Sequence, residues 1–216
     1  MTSDNEKGQT RGQKTKAALL NGVLDLVEQG LAFSAMSLRE VTRQAGVVPT
    51  SFYRHFENMD ELGLNLVDQT MLNLRKQMRE SRANALPGNG MIEKSLDVYA
   101  AYILENRSMF SFIMRERYGG SEALRDAIRR EIQFFASELA ADLDRLGLFN
   151  NLGRRDLENF ATLVVDTVAN ATMTILRYEE ASPRMEEDMQ DLRQQLMFLF
   201  IGALQWRKGG DKADKS

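Results

Sequence analysis

The short segment at residues 49–56 carries the side chains whose types and spacing indicate chemistry most clearly. It reads PTSFYRHF, and its Pro suits the first position of a helix, where the missing N–H needs no partner. Phe52 and Phe56 are four residues apart, so both lie on one face of that helix. The other side presents hydroxyl, guanidinium and imidazole groups that can donate hydrogen bonds to phosphate oxygens and base edges. These groups belong to Thr50, Ser51, Tyr53, Arg54 and His55.

Two short helices joined by a turn would position this segment. Ser37 and Glu40 have the spacing of a capping box, in which the hydroxyl caps the helix start and the carboxylate reaches back. The helix that they open runs through Ala45 and stops at Gly46. The spacing predicts a helix-turn-helix over residues 37–56, whose second helix enters the DNA major groove. On spacing alone, a plain two-helix corner remains the alternative.

Helical periodicity continues along most of the chain, and no alternating runs bounded by turns indicate strands. The three prolines, at 49, 87 and 183, fall where helices should start or stop. The sequence therefore predicts an all-α fold of about nine helices, with flexible ends at residues 1–10 and 209–216. The predicted helices lie at about residues 11–29, 37–45, 49–56, 58–82, 91–105, 107–117, 121–146, 154–180 and 185–207.

Two glycines in and after the first helix have separate roles. Gly30 is expected to end it as a C-terminal cap. Gly22 lies inside the helix, where it costs about 1 kcal/mol relative to Ala unless it permits a close helix crossing.

Charge and composition restrict the class of protein further. Net charge is −3, but residues 1–56 hold seven Lys and Arg against five Asp and Glu, so the rest of the chain is acidic. A mildly basic N-terminal segment in an otherwise acidic chain is typical of a regulator that contacts phosphates. Cys is absent, the N-terminus is polar, and no long apolar run occurs. We expect a cytoplasmic protein without membrane insertion.

An enzyme is the alternative class of protein, and the sequence contains few residues that support it. His55 is the only histidine and belongs to the recognition helix, while Cys is absent, so neither a catalytic triad nor a zinc site is indicated. No glycine-rich phosphate loop occurs. The acidic run around residues 186–191 is typical of the first turns of a helix, where acids favour the dipole. The sequence predicts no metal and no cofactor, and a protein that uses its helices only to dimerise stays as a third possibility.

The segments SLREV at 37–41, AGV at 45–47, SFYRHF at 51–56 and DEL at 60–62 resemble the N-terminal signature of the TetR family. The resemblance implies a DNA-binding domain at residues 11–57 and a ligand-binding and dimerisation domain at 58–208. Met59 departs from the broad family pattern, because many members carry a phosphate-contacting Lys at this position. We therefore expect the contact of the fourth helix with a DNA phosphate to be weaker here, or to be made by main-chain N–H groups. The implied DNA contacts are Lys14, Thr15, Lys16, Arg39, Pro49, Thr50, Ser51, Tyr53, Arg54 and His55.

Further segments resemble the FabR-type repressors of unsaturated fatty-acid synthesis. They are PTSFYRHF at 49–56, DELGL at 60–64, RER at 115–117 with Gly119, and REIQ at 130–133 with Phe135. The resemblance implies a long-chain acyl thioester, on coenzyme A or acyl carrier protein, as effector; another hydrophobic ligand and pathway, such as efflux or catabolism, is the alternative. Met and aromatic side chains suit flexible acyl chains, although they also simply fill cores. The candidate ligand residues are Tyr99, Tyr102, Phe110, Met114, Arg115, Arg117, Phe134 and Met173.

The two basic residues in that set have two interpretations. Arg115 and Arg117 could meet phosphate or pantetheine groups at a pocket mouth. They could equally pair with Glu116 or Glu131.

The last two helices carry long apolar stripes. The family resemblance implies that they build a four-helix interface with a second copy of the chain, while packing in the chain's own core is the other interpretation. A two-fold dimer would also set two recognition helices about 34–36 Å apart, to match successive major grooves. The candidate dimerisation residues are Phe160, Val164, Val168, Ile175, Leu192, Leu196, Phe200 and Ala203.

Overall fold

A computed structural model describes residues 3–83 and 89–206. Within these ranges the chain contains helices and no strand, which confirms the predicted all-α class. The predicted tail at 209–216 and most of the predicted loop near Pro87 lie outside the described residues. The helices are α1 (Ser3–Glu28), α2 (Leu38–Gln44), α3 (Pro49–Phe52), α4 (Met59–Ala83), α5 (Asn89–Glu105), α6 (Arg107–Gly119), α7 (Glu122–Arg145), α8 (Arg154–Ile175) and α9 (Pro183–Gln205).

The described residues form two compact units. The first unit holds the chain up to Leu74 together with Glu105–Arg130, and the second holds Arg75–Leu104 together with the chain from Glu131 onward. Helices α4 and α7 therefore each contribute to both units. The assignment of functions to residues 11–57 and 58–208 stays a prediction, and the compact units divide the chain differently.

Three helix ends differ most from the sequence prediction. Helix α1 begins at Ser3, although residues 1–10 were expected to be flexible. Helix α3 ends at Phe52 and not at Phe56, and residues 53–55 form a turn. Helix α8 ends at Ile175, five residues before the predicted end, as the chain turns back into α9. The hydroxyl of Tyr178 in that turn donates to Asp188 Oδ2 at 2.6 Å.

In the first unit, α1 packs its apolar stripe against the helices that follow. Leu19, Val23 and Val27 are buried. A Cβ placed on Gly22 would lie 3.2 Å from the Val41 carbonyl oxygen and 3.2 Å from the Ala45 nitrogen. Gly22 therefore permits the close crossing of α1 and α2 that the sequence suggested. Gly30, at φ +90°, ends the helix in the left-handed conformation that favours glycine.

The second unit has an aromatic core and an ion-paired flank. Phe149 packs at a tilt against Phe160 and edge-on against Phe200, with ring centroids 4.8 and 4.9 Å apart. These rings lie beside buried side chains of α7 and α8. Arginines of α4 pair with acids of α7: Arg75–Glu131 at 2.9 Å, Arg79–Glu138 at 2.7 Å and Arg82–Asp142 at 2.7 Å. Among the described residues, none of the helices has the length and apolar character that spanning a bilayer requires.

Candidate nucleic-acid interface

The start of α2 forms the predicted capping box. The Glu40 N–H donates to Ser37 Oγ at 3.2 Å, and the Ser37 N–H donates to Glu40 Oε2 at 2.9 Å. The backbone hydrogen bond from Ser37 lowers the pKa of Glu40 below its usual value, and the Ser37 hydroxyl lowers it further. Gly46 follows the helix at φ +66°, so the chain turns sharply into α3. The local sequence thus fixes the corner between the two helices.

Two buried phenylalanines anchor the segment after that corner. Phe52 is 0% exposed and Phe56 is 2% exposed, and their ring centroids are 5.6 Å apart. Although α3 ends at Phe52, the Phe56 N–H still donates to the Phe52 carbonyl oxygen at 3.0 Å. This bond keeps residues 53–55 in a tight turn, so both rings still face the core as predicted.

The remaining side chains of this segment point away from the core. Tyr53 is 65% exposed. Pro49, Thr50 and Arg54 are exposed, while Ser51 and His55 are half-buried. Exposed hydroxyl, guanidinium and phenol groups on a segment anchored by buried rings can donate hydrogen bonds to a partner without unfolding the unit that holds them.

Helices α1 and α2 add basic groups beside this segment. Lys16 Nζ lies 5.6 Å from the Phe56 ring centroid, and a Cβ on Gly12 would lie 3.7 Å from His55 Cε1. The α1 stretch with Lys14, Thr15 and Lys16 is therefore next to the turn that follows α3. Arg39 is exposed on α2.

The start of α4 presents acids and not a lysine. The Asn58 side-chain oxygen accepts the Glu61 N–H at 2.9 Å, and the Glu61 carboxylate accepts the Glu57 N–H. Met59 is half-buried. Two main-chain N–H groups at this helix start are thus occupied by side chains, which leaves fewer for a phosphate.

The structure distributes the predicted ligand residues over both units. In the first unit, Phe110 and Met114 are buried on α6. In the second unit, Tyr99 is buried and its hydroxyl lies 2.6 Å from the Thr172 hydroxyl, a partner that the sequence did not indicate. Tyr102 is half-buried.

Two other predicted ligand residues lie at the surface of the second unit. Phe134 is about half exposed and lies under the Arg75 guanidinium, 5.7 Å from ring centroid to guanidinium carbon. Met173 on α8 is likewise about half exposed. Within this unit, the structure does not bring these two side chains into the core with Tyr99.

The basic residues at the end of α6 have partners other than a ligand. Arg115 is exposed, and its Nη1 donates to the Leu31 carbonyl oxygen at 3.3 Å. The Arg117 guanidinium stacks on Tyr118, 5.3 Å from the ring centroid. In the second unit, Glu131 pairs with Arg75 Nη1 at 2.9 Å.

Most predicted dimerisation residues of α8 and α9 face the interior of their own unit. Five of them are buried in the single chain, so they offer little surface area for contact with a second copy. The other three, Val164, Val168 and Phe200, are half-buried. The buried five are Phe160, Ile175, Leu192, Leu196 and Ala203.

A different apolar face is exposed on these two helices. Leu163, Phe198 and Trp206 border a groove of about 340 Å³, with Gly202 and the edge of Phe160 also lining it. Phe198 is 65% exposed. The prediction missed Phe198 and Gly202, although one signal was available: no charged residue occurs from 194 to 206, which indicates that α9 is covered on more than one side.

Comparisons with known proteins agree with this arrangement. A family model described as "Bacterial regulatory proteins, tetR family" matches residues 28–65. Another, described as "Tetracyclin repressor-like, C-terminal domain", matches residues 88–202, which is more than half of the chain.

Solved structures with a similar fold include three transcriptional or metabolic regulators. A TetR-family regulator from Syntrophomonas wolfei has a TM-score of 0.72 at 14% identity, covering 89% of this chain and 98% of that one. A fatty acid metabolism regulator from Clostridium perfringens has a TM-score of 0.65 at 13% identity, covering 84% and 97%. The fatty acid degradation regulator FadR from Bacillus halodurans has a TM-score of 0.65 at 16% identity, covering 89% and 97%. At these identities the likeness shows the fold.

Proposed function

Because this chain belongs to the TetR family of bacterial regulatory proteins, we propose that it represses genes of unsaturated fatty-acid synthesis and responds to long-chain acyl thioesters. Members of the family are DNA-binding regulators and not enzymes, and they act as dimers with small-molecule effectors. The proposal therefore concerns which residues of this chain contact DNA, which bind a second copy, and which ligand controls it in the cytoplasm.

The polar side of α3 carries the DNA-binding part of the proposal. Thr50 on α3, and Tyr53 and Arg54 in the turn that follows it, are exposed on a segment that two buried phenylalanines hold in place. Small hydroxyls near the start of a helix can approach base edges, while Tyr, Arg and His suit phosphates. Lys14 and Lys16 on α1 and Arg39 on α2 extend this surface to the flanking backbone.

Selection from a library of randomised DNA duplexes tests this surface directly. We expect enrichment of a two-fold symmetric site whose half-sites are centred about one helical turn, or a multiple of it, apart. A variant with Tyr53→Phe and His55→Ala, which leaves both core phenylalanines in place, should enrich the site poorly. Enrichment of the same site by wild type and variant would contradict the contact assignments.

The groove between α8 and α9 is the proposed dimer surface. Apolar side chains at its border are exposed in the single chain, and large exposed apolar patches mark interaction sites. We propose that Leu163, Phe198 and Trp206 meet the same face of a second copy, with the half-buried Val164 and Phe200 at the edge. Gly202 has no atom within 4 Å of an added Cβ, so the helix backbone is open to close approach there.

The proposed effector is supported by sequence resemblance and by the names of two structural relatives. The segments at 115–119 and 130–135 resemble FabR-type repressors, and two similar folds are named for fatty-acid regulation. Among the candidate ligand residues, Tyr99 is buried with its hydroxyl 2.6 Å from the hydroxyl of Thr172, a residue that the sequence did not indicate. Two such hydroxyls can orient the polar head group of a ligand while neighbouring apolar side chains contact its acyl chain.

Calorimetry with two acyl-CoA thioesters tests the effector, with acetyl-CoA as the short-chain control. We expect oleoyl-CoA and palmitoyl-CoA to bind and acetyl-CoA not to bind. Chromatin immunoprecipitation should recover promoters of fatty-acid synthesis genes. Absence of long-chain binding together with recovery of efflux or catabolic promoters would favour a TetR-type regulator of another pathway.

A further inference from the structure

The C-terminal end of α9 is held by a side chain from the loop between α7 and α8. Asn151 Nδ2 donates to the carbonyl oxygen of Ala203 at 2.8 Å and to the carbonyl oxygen of Trp206 at 3.1 Å. Ala203 lies in the last turn of α9, and Trp206 follows that helix directly. The carbonyl groups at the end of a helix lack partners within the helix. A single amide group from another segment therefore caps this helix end.

The cap fixes the main chain of Trp206 on both sides. The main-chain N–H of Trp206 donates to the Ala203 carbonyl oxygen at 3.2 Å, while the Trp206 carbonyl oxygen accepts from Asn151. The residue leaves the helix in an extended conformation, with φ −60° and ψ 124°. Because both of its main-chain polar groups have a partner, the direction in which the indole side chain leaves the helix end is fixed.

The loop that carries Asn151 is itself anchored in the core of the second unit. Phe149 is buried, and its ring packs against Phe160 of α8 and Phe200 of α9. The Leu152 N–H donates to the Phe149 carbonyl oxygen at 3.0 Å, so Asn151 lies inside a closed turn. The amide group is thus held in place before any partner arrives.

The capped helix end belongs to the groove proposed for a second copy. Trp206 is 53% exposed. Trp206 and Ala203, the two residues to which Asn151 donates, both line that groove, and so does Leu152, the residue after Asn151. The hydrogen bonds of Asn151 therefore connect two segments that border the same groove.

We propose that Asn151 is a positioning residue for dimerisation: its amide group holds the last turn of α9 so that Trp206 is presented to the second copy. Ordering a side chain in advance lowers the entropy that association must otherwise cost. A two-fold axis uses the same surface on both copies, so the ordered turn is needed twice. The inference rests on the proposed dimer surface.

The chemistry of the cap requires an amide group at position 151. An amide nitrogen carries two N–H donors, and the two carbonyl oxygens use both of them. A carboxylate has nearly the same shape but accepts only. It would also place negative charge at the C-terminal end of a helix, which the helix dipole disfavours. Asn151→Asp therefore removes the cap with little change in volume.

The first test measures the dimer dissociation constant by sedimentation velocity for wild type, Asn151→Ala and Asn151→Asp. Asn150→Ala is the matched control, because Asn150 is the exposed neighbour in the same loop. Loss of a neutral hydrogen bond shifts a local equilibrium by about two- to ten-fold. If the turn stays ordered in about a third of the molecules, the dissociation constant rises about ten-fold, because both protomers must be ordered. Asn150→Ala should match wild type.

A double-mutant cycle with Trp206→Ala shows whether Asn151 acts through the indole. Trp206→Ala alone should weaken the dimer, and adding Asn151→Ala to it should change the dissociation constant by less than about two-fold, because the group that Asn151 positions is then absent. An amide that only stabilises the fold would have the same effect in both backgrounds.

Fluorescence provides a measurement on the wild-type chain, which is independent of how well the variants fold. Trp206 is the only tryptophan, so the emission reports on this position alone. Dilution of the wild-type dimer should shift the emission to the red as the indole becomes exposed to water. In the monomer, time-resolved anisotropy should show the indole moving with the whole molecule in wild type and in Asn150→Ala, and moving faster in Asn151→Ala.

Three results would overturn the inference while leaving the proposed dimer intact. They are a wild-type dissociation constant in both Asn151 variants, an equal effect of Asn151→Ala with and without Trp206, and fast local motion of the indole in the wild-type monomer. A wild-type chain that shows no dimer at micromolar concentration would instead remove the proposed dimer surface, and the inference with it.

Discussion

Replacing Phe198 with Ser should convert the dimer into monomers without unfolding the chain. Phe198 is 65% exposed on α9 and borders the groove shared with α8. A phenylalanine side chain buries about 200 Å², so roughly 130 Å² of this one is available to a partner. At about 25 cal/mol per Å² that is about 3 kcal/mol per protomer, and a two-fold axis uses the contact twice.

The expected effect on dimerisation is therefore large. Full coverage of both side chains gives about 6 kcal/mol and half coverage about 3 kcal/mol, so the dissociation constant should rise at least about a hundredfold. Sedimentation velocity over a concentration series measures it. Leu72→Ser is the matched control, because Leu72 is 60% exposed on α4 within the first unit.

Two results would refute this reasoning. A wild-type chain that sediments as a monomer at micromolar concentration would remove the dimer itself. A Phe198→Ser chain with the wild-type dissociation constant would place the interface elsewhere. Thermal melts by circular dichroism must show the same Tm for both serine variants and for wild type at concentrations where wild type is monomeric.

The remaining predictions concern the DNA-facing unit. Tyr53→Phe and His55→Ala should each weaken binding to the selected duplex by at least about ten-fold, since a hydrogen bond to a charged phosphate contributes about 1.5–3 kcal/mol, with Tm unchanged. Wild-type affinity of either variant in a mobility-shift titration would contradict that contact. Gly22→Ala gains about 1 kcal/mol of helix propensity, but its methyl group would meet backbone atoms of α2 at 3.2 Å. We therefore expect a lower Tm, and a higher one would show that the crossing can relax. Ser37→Ala should lower Tm at pH 7 by removing a helix cap. The pKa of Glu40 is lowered in the folded chain, so its contribution to stability is present above its pKa in the unfolded chain and is lost as pH falls through its pKa in the folded chain. The difference in Tm between wild type and Ser37→Ala should therefore be smaller at pH 3 than at pH 7. An equal difference at both pH values would contradict the role of the Glu40 carboxylate in the cap.

Local features of the corner between α2 and α3 could be predicted from the sequence because neighbouring residues determine them. Ser37 and Glu40 form a capping box at a fixed spacing, and Gly46 supplies a backbone conformation that few other residues adopt. Phe52 and Phe56 are buried as their spacing indicates. The end of α3 was not predictable, because residues 53–55 have no helix breaker and their turn is set by the cap that Asn58 gives α4.

Features that depend on distant packing were missed for a physical reason. Apolar residues lie all around α9, so their periodicity indicates that the helix is buried on more than one side. It does not indicate which side packs within the same chain. The structure turns Leu192 and Leu196 inward and leaves Phe198 outward. Similarly, a Glu between two arginines is typical of a solvated surface, whereas the structure buries Glu116 beside Gly120.

The salt dependence of binding to the selected duplex, compared with a scrambled duplex of equal length, tests the central claim most directly. A dimer that contacts several phosphates through α1 and α3 should show log affinity falling steeply with log salt, by about 0.9 per phosphate neutralised. It should also prefer the selected duplex by about a thousandfold or more at physiological salt. Equal affinity for the two duplexes, or an affinity that salt leaves unchanged, would contradict the assignment of this chain's polar α3 surface to operator DNA.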